Sequence, residues 1–218
     1  MLKLYHEPLS FNSRRVWIAL LEKGLEFELV DMKLDGDQFQ PDFLALNPFH
    51  HIPVLVDDGF RVIESLAILD YLEAKYPTPA MLPTEAQNLA IVRMVEMVIT
   101  NEFAPAISPL FMQLLGIAID DSKLEEAKKK LATGLSFIES LLGDRAYYGG
   151  EQLSLADIVA GTVVSSLHYF KVSLDDYPLL SAWCDRLEQR PAWVQTALNP
   201  SRVAAFISRA KVRMAQSK

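Results

Sequence analysis

Three prolines in seven residues, Pro77, Pro79 and Pro83, divide this 218-residue chain into two unlike parts. Each proline lacks a backbone N–H and fixes φ, so no helix can run through Tyr76–Pro83. Before that segment, strand-like and helix-like stretches alternate. Leu2-Lys3-Leu4-Tyr5 and Phe27-Glu28-Leu29-Val30 read as strands. Val54-Leu55-Val56 and Phe60-Arg61-Val62-Ile63 flank Asp57-Asp58-Gly59, which predicts a hairpin. Between them, Ser10–Lys23 carries Val16, Trp17, Leu20 and Leu21 at helical spacing and stops at Gly24. Gln38–Leu46 predicts a short, weak helix, and Ser65–Lys75 another.

The resulting order, β-α-β-α-β-β-α, predicts a thioredoxin-like α/β domain over residues 1–77, since a parallel βαβ crossover followed by an antiparallel hairpin has that arrangement. A linker follows over 78–84. Residues 85–218 read as an all-helical domain. Its helices are expected over Glu85–Leu115, bent by Pro105 and Pro109, and over Ser122–Leu142, which is amphipathic. Ser154–Phe170 is nearly all apolar and predicts a buried central helix; Leu179–Gln189, Ala192–Leu198 and the basic Ser201–Gln216 complete the set.

Composition removes several functions. The single cysteine, Cys184, rules out a disulfide within the chain, a Cys-x-x-Cys redox pair and a cysteine zinc site, and it reads as a buried, inert thiol. His6, His50 and His168 show no metal-ligand spacing, so no metal is expected. A net charge of −7 opposes nucleic acid as a partner and requires that an anionic ligand be held by local donors. No apolar run reaches the ~18 residues of a membrane span, and the N-terminus lacks a signal-peptide core, so a cytoplasmic protein is expected.

Four local patterns carry chemistry. Ser10 stands between the first strand and the first helix, where backbone N–H groups and the helix dipole favour an anion such as a thiolate; taken by itself, the segment reads first as a plain helix cap. Pro53 opens an apolar strand. A cis Ile52–Pro53 bond would turn the Ile52 N–H and C=O outward for a peptide, and a trans bond would make Pro53 an ordinary edge residue. Ser65, capping the helix it starts, and Glu64 beside it could grip the carboxylate and ammonium of an amino-acid end, or serve as a cap alone. Ser154-Leu155-Ala156-Asp157 is a capping box with a Leu153–Ile158 staple, a structural device.

In their order and spacing, these patterns resemble the glutathione transferase family, most of all its serine-type phi and theta branches and their bacterial relatives. The matching stretches are Pro-x-Ser-x-x-Ser-Arg-Arg-Val from Pro8, Phe-Glu-Leu-Val from Phe27, Phe-Leu-x-x-Asn-Pro-Phe-x-x-Ile-Pro-Val-Leu from Phe43, and Glu-Ser-x-Ala-Ile from Glu64. The resemblance implies that Ser10 stabilises the glutathione thiolate, that the Ile52 backbone pairs with the cysteinyl unit beside a cis Pro53, and that Glu64 and Ser65 hold the γ-glutamyl end. His51 and Gln38 fall where relatives contact the glycine end, with Phe39 in place of a basic neighbour. Phe49 falls at a dimer contact, so a homodimer is expected. Tyr5, the activator in tyrosine-type relatives, reads here as part of the first strand.

The implied activity is conjugation of glutathione to hydrophobic electrophiles in detoxification, with peroxide reduction open as a second reaction. Glutathione is a co-substrate and no further cofactor is expected. Leu9, Phe11, Ile107, Phe111, Met112 and Leu115 are candidate walls of an apolar electrophile pocket, and each also reads as ordinary core. The alternative is a non-catalytic carrier or scaffold on the same fold.

Overall fold

The structure, a computed structural model, describes residues 1–33 and 36–216, with side chains through residue 212. Two compact units emerge. One comprises Met1–Leu82 together with Arg190–Ala197, the other Pro83–Gln189 together with Leu198 onward.

The first unit is built on a four-stranded sheet, β1 (Leu2–His6), β2 (Phe27–Asp31), β3 (Val54–Asp57) and β4 (Phe60–Ile63), in the order β2-β1-β3-β4. β1 runs parallel to β2, and β3 is antiparallel to both β1 and β4. This is the thioredoxin-like arrangement. The β3–β4 hairpin turns at Asp58 and Gly59, with φ of 47° and 89°. Positive φ at both central residues matches the turn to the right-handed twist of the strands.

Period two along the strands decides the faces. Leu4 and its register partners Leu29 and Leu55 point one way, and Leu4 and Leu55 are fully buried. Helices α1 (Phe11–Glu22) and α3 (Ser65–Lys75) pack together and bury Val16, Ile18, Leu20, Ile68, Leu69 and Leu72. Tyr5 and its partner Val54 belong to a second cluster with Met32 and Phe43 of α2 (Pro41–Leu46). The predicted helix over 38–46 is therefore two pieces, a 3-10 turn at Asp37–Phe39 and α2. Pro41 has no N–H to continue the first into the second, and it starts α2 at a position where that N–H would be unpaired anyway.

Two long-range ion pairs finish this unit. Lys23, its side chain fully buried, pairs with Glu73 at 2.7 Å and donates to the carbonyls of Tyr76 and Pro79 at 2.7 and 2.9 Å. Arg190 forks onto Glu22 of α1, with N···O distances of 2.8 and 2.6 Å, just before the short helix α9 (Pro191–Gln195). Trp193 of α9 is buried within this unit.

The second unit is helical: α4 (Ala86–Val98), α5 (Ala104–Leu114), α6 (Asp121–Leu142), α7 (Leu155–Val164), α8 (Pro178–Glu188) and α10 (Pro200–Gln216). A π turn over Ile99–Phe103 joins α4 to α5 just before Pro105, which has no N–H to offer the regular ladder. The predicted bend is thus a widened turn. Buried Phe103 lies over Gly134 of α6, where any Cβ would meet its ring. All ten residues of α7 are buried, but the predicted helix over 154–170 ends at Val164. Ser165 and Ser166 turn their hydroxyls back to the carbonyls of Gly161 and Thr162, and a 3-10 turn over Leu167–Phe170 follows. Such back-bonding offers the chain an alternative to helix continuation. Cys184 on α8 is buried, and burial pushes its thiol well above the ordinary value. Among the described residues, no helix is long and apolar enough to cross a membrane, and no cluster of three metal-ligating side chains occurs.

Candidate active site

The segment entering α1 is tied by its own hydrogen bonds. The Glu7 carboxylate accepts from the Leu9 N–H at 2.6 Å, and the Glu7 carbonyl accepts from the Ser10 N–H at 3.0 Å. Ser10 is the N-cap of α1, its Oγ accepting from the Ser13 N–H at 3.3 Å. A hydroxyl that accepts with a lone pair keeps its hydrogen to donate elsewhere. Capping and donation to an anion are therefore compatible at Ser10. Glu7 has no counterpart among the candidates taken from the sequence; its role here is to set the position of that hydroxyl.

The start of α3 is arranged otherwise. Glu64 links β4 to α3 with φ of 66°, a conformation that a side chain rarely adopts and that concentrates at functional sites. It is the N-cap position, yet no side chain caps the helix. Ser65, expected as the cap, is instead the first helical residue, and its Oγ accepts from Arg15 Nη1 at 3.4 Å. Among the described residues, no side chain caps the first N–H groups of α3, and the nearly buried Arg15 donates to the hydroxyl of its first residue. Such a helix start is an anion receptor.

These parts border one cavity of about 510 Å³, within the range of small-molecule sites. Gln38, His51, Ile52, Pro53, Glu64 and Ser65, all the residues expected to touch glutathione other than Ser10, line it together. Asn12, Phe39, Asn47 and His50 line it as well. Ser10 is half-buried and is not among the lining residues; Asn12, two residues on in α1, is. The Ile52–Pro53 bond is cis. Among the described residues, the Ile52 N–H and C=O meet no backbone partner, which leaves both for a ligand. Asn47 shapes the turn before them, its Nδ2 donating to the His51 carbonyl at 2.7 Å and its Oδ1 accepting from the Phe49 N–H at 3.0 Å. Phe49 itself is 57% exposed.

The candidate electrophile walls fall in both units. Leu9 and Phe11, in the first, are half-buried beside Ser10. In the second, Ile107 and Leu115 are buried core residues, Met112 is exposed, and half-buried Phe111 lies between the rings of Phe170 and Phe206 at 6.4 and 6.3 Å.

Two family models match the chain, the glutathione S-transferase N-terminal domain over residues 4–80 and the glutathione S-transferase C-terminal domain over 103–191. The chain belongs to the glutathione S-transferase family. Glutathione S-transferase 3 of Zea mays is 37% identical over 206 residues, 89% of this chain and 92% of its own. Maleylacetoacetate isomerase of Mus musculus is 35% identical over 183 residues, 82% of this chain and 83% of its own. Among solved structures, a glutathione transferase homologue from Sulfitobacter with bound glutathione superimposes with a TM-score of 0.76 at 27% identity, covering 89% of this chain and 96% of that one. Family membership and these relatives make the chain a glutathione transferase enzyme.

Proposed function

We propose that the enzyme joins glutathione, as thiolate, to a hydrophobic electrophile. The observation that carries this reading is the convergence on one cavity of an uncapped helix start with Ser65, the acid Glu64 and the unpaired Ile52 backbone. An amino-acid end fits the first two, carboxylate to the α3 N–H groups and ammonium to Glu64. A peptide pairs with Ile52 as an added strand would. Ser10 then donates its hydroxyl hydrogen to the sulfur and favours the charged form over the neutral one. Leu9 and Phe11 give the electrophile apolar surface beside it. The sulfur lone pair forms the new bond to the electrophilic carbon, and the leaving group departs with the displaced electron pair.

The mouse relative's name supports a second use of the same thiolate. Adding to a conjugated cis double bond, it pushes an electron pair onto the neighbouring carbonyl as an enolate. The carbon–carbon bond rotates, and collapse of the enolate expels the thiolate and leaves the trans isomer. Turnover of maleylacetoacetate without consumption of glutathione would mark this reaction, whereas loss of free thiol with a chloronitrobenzene marks conjugation.

Both reactions need the ionised sulfur. Replacing Ser10 with alanine is expected to lower turnover about 100-fold, the effect of removing one such donor. Bound glutathione, titrated by the ultraviolet absorbance of its thiolate, should ionise at higher pH in the variant than in the wild type, closer to the ordinary thiol range near ~8.5. An unchanged titration in the variant would remove Ser10 from the mechanism.

A further inference from the structure

Helix α10 is amphipathic, yet its apolar side is not put away. Val203, Phe206, Ile207 and Ala210 recur at the three- and four-residue spacing that gathers them on one side of a helix. In α6 the same pattern is fully used, and Leu124, Ala127, Leu131, Leu135, Ile138 and Leu142 are all buried. In α10 the four residues are only half-buried, and no residue described with its side chain, Pro200 through Val212, is buried. The Phe206 ring stacks on that of Phe111 at 6.3 Å. A helix with so little apolar surface buried belongs to the low-stability end of a fold.

Its charge is as one-sided. All 28 acidic residues of the chain precede Gln189, whereas residues 201–218 hold five basic ones, Arg202, Arg209, Lys211, Arg213 and Lys218. The chain up to residue 200 thus carries a net charge of −12 and this end +5. On α6, by contrast, Lys128 and Lys130 each find a glutamate of their own helix at 2.8 Å. The helix dipole favours cations in the last turn and disfavours Arg202 in the first. Arg202, Arg209 and Lys211 are exposed. At about 100° per residue, the two arginines fall roughly 100–120° to one side of the apolar stripe and the lysine about 80° to the other. Cations that flank a stripe reach headgroup phosphates when the stripe enters an acyl layer, their own stems lying along it.

We propose that α10 is a surface anchor for an anionic lipid bilayer. It lies in the plane of the interface, with Val203, Phe206, Ile207 and Ala210 turned from Phe111 to the acyl boundary and the flanking cations among the phosphates. A bilayer meets both demands at once, an apolar layer bordered by negative charge. The acidic remainder of the chain is repelled by the same surface and stays in water. The anchor is independent of which reaction the thiolate performs.

The test is sedimentation of the whole enzyme with vesicles of phosphatidylcholine, alone or mixed with phosphatidylserine. Binding is expected with the mixed vesicles only, and it should fade as salt is raised. Arg209→Gln combined with Lys211→Gln should weaken it about 30-fold, each cation at an anionic surface being worth about fivefold. Phe206→Ser should weaken it about tenfold through lost apolar burial. No sedimentation with the mixed vesicles, equal binding to phosphatidylcholine alone, or full binding by either variant overturns the proposal. Tighter binding to polyglutamate than to the mixed vesicles gives α10 to an acidic polypeptide instead. A rise in mass at low salt without vesicles, lost in the charge variant, gives it to a second copy of the chain. Either result overturns the lipid assignment.

Discussion

Helices α7 and α3 each begin at a serine and an acid, Ser154 with Asp157 and Glu64 with Ser65, and the two starts are completed in opposite ways. At α7 the acid closes everything. Asp157 accepts from the Ser154 N–H at 2.8 Å, the Ser154 hydroxyl at 2.6 Å, the Tyr148 N–H at 3.0 Å and Trp183 Nε1 at 2.9 Å. Ser154 and Asp157 are both buried, so the acid that fills this start is the chain's own. At α3 the acid makes no capping bond, the serine is the first residue of the helix, and both line a cavity. One start is filled by the chain's own acid; the other has no cap of its own. A serine and a carboxylate thus yield a structural rivet or a receptor, depending on whether the acid follows the serine by three residues or precedes it by one.

The largest break in that comparison is expected at Asp157. A cap alone is worth about 0.5–2 kcal/mol. Asp157→Ala strands four buried donors as well, so the loss should reach about 3–5 kcal/mol, read as a shift of the urea midpoint. A loss of under 1 kcal/mol would mean that water or rearrangement satisfies those donors. Ser65→Ala should show the reverse pattern: stability within about 1 kcal/mol of wild type and glutathione affinity down roughly tenfold by calorimetry, since one hydrogen bond to a charged group is worth about 1.5–3 kcal/mol. Equal affinity in the variant would return Ser65 to a purely structural role.

The smallest effect concerns acid. Burial raises both aspartates, and at Asp157 it prevails over the bonds from Ser154, Tyr148 and Trp183, leaving that carboxyl above its ordinary range. At Asp57 burial is outweighed by Lys75, by Tyr71 at 2.8 Å and by Tyr76 at 3.3 Å, and the net shift is downward. A carboxylate depressed by folding stabilises above its unfolded value near 4, and that contribution fades as pH falls through the folded one. A raised carboxyl does the opposite, helping most in its protonated form and losing that help as pH climbs through the folded value. Asp57→Asn should therefore flatten the loss of stability between pH 5 and 2.5 in urea melts. An unaltered slope would place the acid sensitivity elsewhere.

The sequence showed the elements where periodicity was clean, as in α1, α3 and α6, and the family where short motifs kept their spacing. It misjudged ends that depend on hydroxyl chemistry or on one dihedral angle. The all-apolar run through α7 conceals its end at Val164 because serines 165 and 166 stop it by bonding backwards. Ser65 reads as a cap because nothing in the letters indicates φ of 66° at Glu64. Gln38, His51 and Ile52 were legible through resemblance; Asn12, Asn47 and His50 join them only when the chain folds back on itself. Of the missed set, His50 left the plainest mark, an imidazole next to another in a polar turn.

The segment that splits the sequence also carries a lesson. Tyr76–Pro83 has every outward sign of a hinge, yet two of its carbonyls rest on the concealed ammonium of Lys23, and the Met81 N–H is held by Glu73 at 2.9 Å. A protease needs a stretch it can pull into extended form, and here doing so means tearing an amine out of its only dry lodging. Nicking is therefore expected at other loops, and limited proteolysis should find Lys23→Met, which keeps the bulk while dropping the grip, newly cleaved within this strap.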